Sequence, residues 1–479
     1  MKKKIILFIV LMVVIIFVII ATINVINIKN TGEIKFNEDA SNIEQQSTTV
    51  KWNENSIQRE IKNNYKISMN LNLEEKSYTA QITVSFYNDS TDVWNSIFFR
   101  DYPSYFKIKD GGNLSEITQI KDAKTGRELN LKRDENDSTV FSIELLEPLN
   151  PQEVTSISMN YKAYIPNFNS RFGYQKLDEG KYDFYLGNSL PILCPYENGK
   201  FQYYPYFEVG ECFYSKIANY DVNIEVPEDY TIIATGDKEK TEEDENKKIE
   251  YYKANAVRDF AIMIGNNYKF VSDNVDGINL NAYFHNGREK EGKEEISKIK
   301  SVMEKFNKKL GKYPYKQFNL VEAKMEMQGM EYPEMILINM EKEGLESILH
   351  EEIHQWFYNI VGNNSYTSAW LDESMTTYLS NPGLDNHNEE FITKGYDKYT
   401  DNGNYTLAMY FCGASMYNRL EENNGKNKIN KLIEELLNKY SYSEITTQEM
   451  VNLLVKYYGK NNEILKEYIE PTYLENAQD

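Results

Sequence analysis

The spacing of apolar residues changes once along this chain, and that change limits its fold more than any other feature. From Tyr65 apolar side chains recur at every second position: Tyr65, Ile67, Met69, Leu71 and Leu73, then Tyr78, Ala80, Ile82, Val84 and Phe86, with polar Glu74 to Ser77 between them. Such alternation puts one row of side chains on a buried sheet face, so the pair reads as a hairpin. Similar stretches recur at Ile157 to Ala163, Tyr220 to Val226 and Phe260 to Ile264, with no convincing helical pattern among them. Residues 61–275 are therefore predicted to form an antiparallel β domain. After Gly287 the period lengthens, and Ile296, Ile299, Val302, Met303, Phe306 and Leu310 mark one face of a helix ending before Gly311. Further helices are expected around Ile429 to Leu437 and from the capping box Thr446-Thr447-Gln448-Glu449 to Gly459. Residues 276–479 read as a second domain, in keeping with a chain of 479 residues, too long for one core.

The N-terminus follows a different rule. Met1-Lys2-Lys3-Lys4 precedes an uncharged apolar run from Ile5 to Ile26, long enough to cross a bilayer as a helix. The run is longer than a signal-peptide core and has no Ala-x-Ala exit, which favours a retained anchor. Lysines before it, with no basic cluster after it, place the N-terminus in the cytoplasm and the rest of the chain outside. Polar residues 27–60 then read as a tether. A net charge of −20 excludes a nucleic-acid partner, which would need a basic surface. Three cysteines, Cys194, Cys212 and Cys412, are too few for a disulfide scaffold, although a Cys194–Cys212 bridge is an option outside the cytoplasm.

The chemistry concentrates in His350-Glu351-Glu352-Ile353-His354. Leu349, Ile353, Trp356, Phe357 and Ile360 give this segment a buried helical stripe that stops at Gly362. Two histidines four apart lie on one helix face and can grip a single zinc ion, and Glu351 between them can take a proton from the attacking water. The chain has only four histidines, so the pair is no by-product of composition; His285 and His387 read as surface or packed residues. Catalytic zinc commonly takes two histidines and a glutamate, so a third ligand is needed. Phe357 and Ile360 occupy the positions where a metzincin has glycine and a third histidine. Glu373, in Trp370-Leu371-Asp372-Glu373-Ser374 on the expected next helix, is the better candidate.

His350-Glu351-x-x-His354, eighteen residues and then Glu373 resembles the M1 aminopeptidases, zinc enzymes of the gluzincin group. The flanking His354-Gln355-Trp356-Phe357 and Trp370-Leu371-Asp372-Glu373 are similar to that family too, whereas thermolysin-type endopeptidases place the glutamate one residue later. The resemblance implies a thermolysin-like α+β catalytic domain, one Zn2+ per chain, and peptide substrates with a free N-terminus. Gln328-Gly329-Met330-Glu331-Tyr332-Pro333 resembles the family's Gly-x-Met-Glu-Asn motif, which implies substrate binding by Gly329, Met330 and Glu331, with Glu331 on the amino group. Tyr410-Phe411-Cys412-Gly413-Ala414 resembles the family's Tyr-x-Lys-Gly segment, which implies that the Tyr410 hydroxyl supports the oxyanion. Cys412 stands where lysine is usual, and Tyr405 competes for the role. Pro205 to Pro227 and Arg258-Asp259-Phe260-Ala261 look like strands of the family's N-terminal β domain. Similarity covers roughly residues 200–470, and the large C-terminal helical domain of many relatives is expected to be absent.

Two rivals stand beside this expectation. One is an endopeptidase using the same zinc site. The other is a catalytically silent surface binding protein with a structural metal, against which the intact Glu351 argues, since a structural site needs no base.

Overall fold

The computed structural model describes residues 61–478 apart from 107–113, 178–179, 207–209, 211–212, 340–344, 387–389 and 400. The apolar run and tether of residues 1–60 lie outside this set, as do His387 and Cys212. Among the described residues no helix is long and apolar enough to cross a membrane. Cys194 carries a free, buried thiol.

The predicted hairpin forms. Strand Asn64–Asn72 pairs antiparallel with Ser77–Tyr87, setting Ile67 beside Ile82 and Met69 beside Ala80. Those residues are buried, so the cross-strand pairs that fix the register also supply the core. The hairpin lies within a seven-stranded sheet ordered 237–244, 247–257, 218–227, 64–72, 77–87, 154–164 and 115–122. One pair departs from the expected antiparallel pattern: 64–72 runs parallel to 218–227, with Ile67 beside Val222. Alternation has the same period in both kinds of pairing, so the local pattern carries no trace of this difference. Two four-stranded sheets complete the β region, one holding 94–100 and 140–149, the other 262–265 and 182–186.

A mixed five-stranded sheet follows, ordered 268–275, 278–285, 317–322, 335–338 and 329–330. Its first two strands form a hairpin through Val275 and Ile278, so the expected domain boundary after residue 275 falls in a turn inside this sheet. Helix α1, Glu289–Leu310, buries the predicted stripe from Ile296 to Leu310 and ends at Gly311, whose φ of 102° suits glycine. The edge strand 329–330 runs antiparallel to 335–338 and brings Gly329 to Glu331 up to the helices that follow. These are α2 (Leu345–Ile353), α3 (Trp370–Ser380), a π-helical turn (Leu407–Cys412) and α4 (Gly413–Asn424). The capping box at Thr446 and Glu449 is present, and its helix ends before Gly459 as predicted.

Two polar clasps join the β region to the helical part. Arg258 donates from Nε to the Asn359 carbonyl at 3.1 Å and from Nη1 to Glu444 at 2.6 Å. In the second, His285 Nε2 lies 2.6 Å from Asp183 and its Nδ1 lies 3.5 Å from Glu322, which also meets Arg288 at 3.0 Å. Burial alone would depress this imidazole, but the two carboxylates outweigh it and raise the pKa from 6.5 to about 9. A folded pKa above the unfolded one means stability that is present below pH 6.5 and lost as pH rises through about 9. Melting temperature is therefore expected to fall more steeply between pH 7 and pH 10 in the wild type than in His285→Gln. Nearby Glu295, which burial pushes up to about 7, is common to both proteins and cancels in the difference. Parallel slopes would refute the linkage.

Candidate active site

Helix α2 delivers the first ligand pair, and its end is not where the apolar stripe predicts. Regular α geometry stops at Ile353 instead of running to Gly362. Residues 354–360 continue as irregular turns in which the Val361 N–H reaches the Trp356 carbonyl at 3.0 Å and Tyr358 takes a φ of 127°. The break has a chemical consequence, because the Phe357 carbonyl is left to accept a hydrogen bond from His354 Nδ1 at 2.9 Å. That bond fixes the tautomer, leaving Nε2 with its lone pair toward the cleft.

Helix α3 carries Glu373 in its first turn, against α2. Glu373 Oε2 lies 3.3 Å from Nε2 of both His350 and His354, and the two imidazole nitrogens are 3.0 Å apart. One donor atom from each residue falls within 4.8 Å of the others, so the predicted triad is assembled around a single point. His354 and Glu373 are buried. Burial alone would push the Glu373 carboxyl up, but His354 and His350 outweigh it and hold it well below its usual range. The imidazoles diverge: burial depresses His350, while for His354 the opposing charges of Glu331, Glu373 and Glu351 overcome burial and raise it. Two rings this close do not both hold a proton, and a field that favours positive charge at this point also favours a metal ion. Two imidazoles, one carboxylate and an open side fit a single Zn2+.

A cavity of about 800 Å³ opens over the triad and is lined by Gly329, Glu331, His350, Glu351, His354, Glu373 and Tyr410, among others. Glu351 is 8% exposed and supplies none of the triad's donor atoms. Gly329 lies against it so closely that a Cβ there would stand 2.3 Å from its Oε1, so only glycine leaves the carboxylate room. Strand alternation separates the three residues of the upstream motif: Gly329 and Glu331 face the cavity, while the Met330 side chain turns into the core. The expected contact of Met330 with substrate is therefore not a side-chain one. Gln355 ties this loop to α2, accepting from the Glu334 N–H at 2.9 Å and donating to the Tyr332 carbonyl at 3.0 Å.

Between the two competing tyrosines the geometry separates clearly. Tyr410 lines the cavity, stacks on His350 with ring centroids 5.6 Å apart, and donates from its hydroxyl to Glu373 Oε1 at 2.5 Å. Tyr405 is buried, packed under Gly210. Tyr410 owes its place to the π-helical turn, a register shift that frees a carbonyl. Ser374, next to Glu373, donates to that region through the Met409 carbonyl at 2.6 Å, and a Cβ at Gly413 would stand 1.8 Å from the Ser374 hydroxyl. No periodic pattern announces Ser374 or Gln355, since both act on backbone groups distant in sequence.

A buried triad from two adjacent helices, with a carboxylate between its histidines and a cleft above, defines a metallopeptidase-type zinc site. Residues 294–404 match the peptidase family M1 domain, and the chain carries that domain. Leucine aminopeptidase 2 of Ajellomyces capsulatus is 23% identical over 155 residues, 26% of this chain and 25% of that protein. Probable aminopeptidase 2 of Sulfurisphaera tokodaii is 23% identical over 296 residues, 53% of this chain and 38% of that one. The chain thus spans well under half the length of either relative. Among solved structures, the M1 zinc metallopeptidase of Deinococcus radiodurans aligns with a TM-score of 0.63 at 14% identity, covering 85% of this chain and 93% of that one. A mutant of that enzyme bound to the tripeptide Tyr-Ser-Ala aligns with a TM-score of 0.63 over 89% of this chain and 98% of that one, at 14% identity. The fold is that of the M1 zinc metallopeptidases.

Proposed function

We propose that this protein is a zinc aminopeptidase that removes N-terminal residues from peptides. The observation that carries the reading is one cavity presenting the His350, His354 and Glu373 triad, Glu351 beside it, and a second buried carboxylate, Glu331, from the edge strand. Zinc held there would polarise the scissile carbonyl and acidify a water molecule. Glu351 takes the proton from that water and passes it to the leaving amine. Tyr410 donates its hydroxyl hydrogen toward the carbonyl oxygen as charge builds on it. Glu331 pairs with the cationic amino end of the substrate, a contact an internal peptide bond does not offer. An endopeptidase would have no use for such a carboxylate.

The test compares matched peptides with free and acetylated N-termini. The wild type is expected to prefer the free form, and Glu331→Ala to shrink that preference roughly tenfold or more, the usual scale for truncating one partner of a sheltered charge pair. Equal cleavage of both forms by the wild type would leave the endopeptidase reading in its place. The apolar run of residues 5–26 supports an anchored enzyme working outside the cytoplasm. Protease added to intact cells should then release a large active fragment, and complete protection of the protein would argue against that topology.

A further inference from the structure

The walls of the cleft differ in chemistry. Toward α3 the cavity is lined by Thr377, Ser380, Asn381 and Thr406, all hydroxyl or amide side chains. On the other side the β region contributes Tyr105, Phe106, Phe168 and Tyr206, and Met327 joins them from the loop before Gly329. These rings form a connected surface: Tyr105 lies 4.1 Å from Tyr206 and 5.5 Å from Phe106 between centroids, and Phe106 lies 6.2 Å from Phe168. Phe168 is 44% exposed, among the few large apolar side chains that face solvent in the described residues. An exposed phenylalanine on a cleft wall, continuous with three more rings and a thioether, is a surface for an apolar group.

Position along the substrate follows from one backbone contact. The Glu326 N–H donates to the Asn169 carbonyl at 3.0 Å, which fastens the segment bearing Phe168 to the loop that leads, five residues on, to Glu331. The aromatic wall therefore adjoins the carboxylate assigned to the substrate's amino group. We propose that Tyr105, Phe106, Phe168, Tyr206 and Met327 form the subsite for the side chain of the N-terminal residue, and that it takes a large aromatic or aliphatic one. Arg171 is the one permanently cationic side chain among the described residues lining the cavity, and it lies in the same wall, 4.9 Å over the Phe213 ring. Its charge disfavours a lysine or arginine side chain there.

This inference rests on the aminopeptidase reading, and its test keeps the two apart. Amides of Phe, Leu, Ala, Glu and Lys, together with acetyl-Phe amide, would be assayed on the wild type and on Phe168→Ala, whose exposed side chain can be removed without opening the core. The wild type is expected to favour Phe and Leu over Ala by about tenfold or more in kcat/KM, with Lys poorest. Phe168→Ala should cut the Phe-to-Ala ratio by about tenfold at an unchanged melting temperature. An unchanged ratio would overturn the subsite. Fastest cleavage of the Glu amide would overturn it in another way, showing that Arg171 reads a carboxylate. Cleavage of acetyl-Phe amide as fast as the free amide would instead overturn the aminopeptidase reading, and the subsite with it.

Discussion

Replacing Glu351 with glutamine is expected to leave one zinc ion per chain in place and to reduce turnover on the order of a thousandfold, within the usual contribution of a positioned general base. The separation follows from geometry. Glu351 stands in the cavity beside the triad, but the donor atoms that converge belong to His350, His354 and Glu373. Glutamine matches its shape, so the close packing against Gly329 survives while the proton acceptor is lost. His354→Ala should behave differently, since it removes a ligand whose ring is fixed by both Nε2 and the Phe357 carbonyl, and zinc content should fall together with activity. Metal analysis and kcat/KM on both variants would distinguish the two roles. Near-wild-type turnover in Glu351→Gln would sink the mechanism.

The triad was legible because its information is local. His350 and His354 are one helical turn apart, and Glu373 sits on the next helix. The same holds for α1, whose apolar period and terminal glycine appear in the sequence as they do in the fold. What stayed hidden depends on segments that meet only in space. The parallel pairing of 64–72 with 218–227 leaves no mark on either strand's alternation. The early end of α2 is set by the folding back of residues 354–360, while the apolar stripe runs on regardless. Tyr105, Phe106, Phe168 and Tyr206 lie more than a hundred residues before the histidines, and nothing in their spacing says that they line the same cleft. Met330 marks a middle case, where a motif named the right loop and strand alternation then decided which of its side chains reached the site.

Tyr410→Phe is expected to lower kcat by about a hundredfold, the scale for losing one donor to a developing oxyanion. The structure adds a second duty for the same hydroxyl, which donates to Glu373 Oε1 at 2.5 Å and so also steadies a zinc ligand. Loss of a contact of that kind typically weakens metal affinity by about 10- to 100-fold, which at limiting zinc would itself lower activity. The two effects separate if the variant is assayed across a zinc titration, with bound metal measured at each point. If Tyr410 serves the oxyanion, kcat stays about a hundredfold down once the site is saturated, because no metal concentration restores a missing donor. Full recovery at saturating zinc would reduce the tyrosine to a positioning residue for Glu373. Tyr405→Phe supplies the comparison: its ring is buried and absent from the cavity lining, so that variant should retain the saturated kcat, and any loss should follow its melting temperature. A hundredfold loss from Tyr405→Phe with none from Tyr410→Phe would place the oxyanion donor one and a half helical turns earlier in the chain.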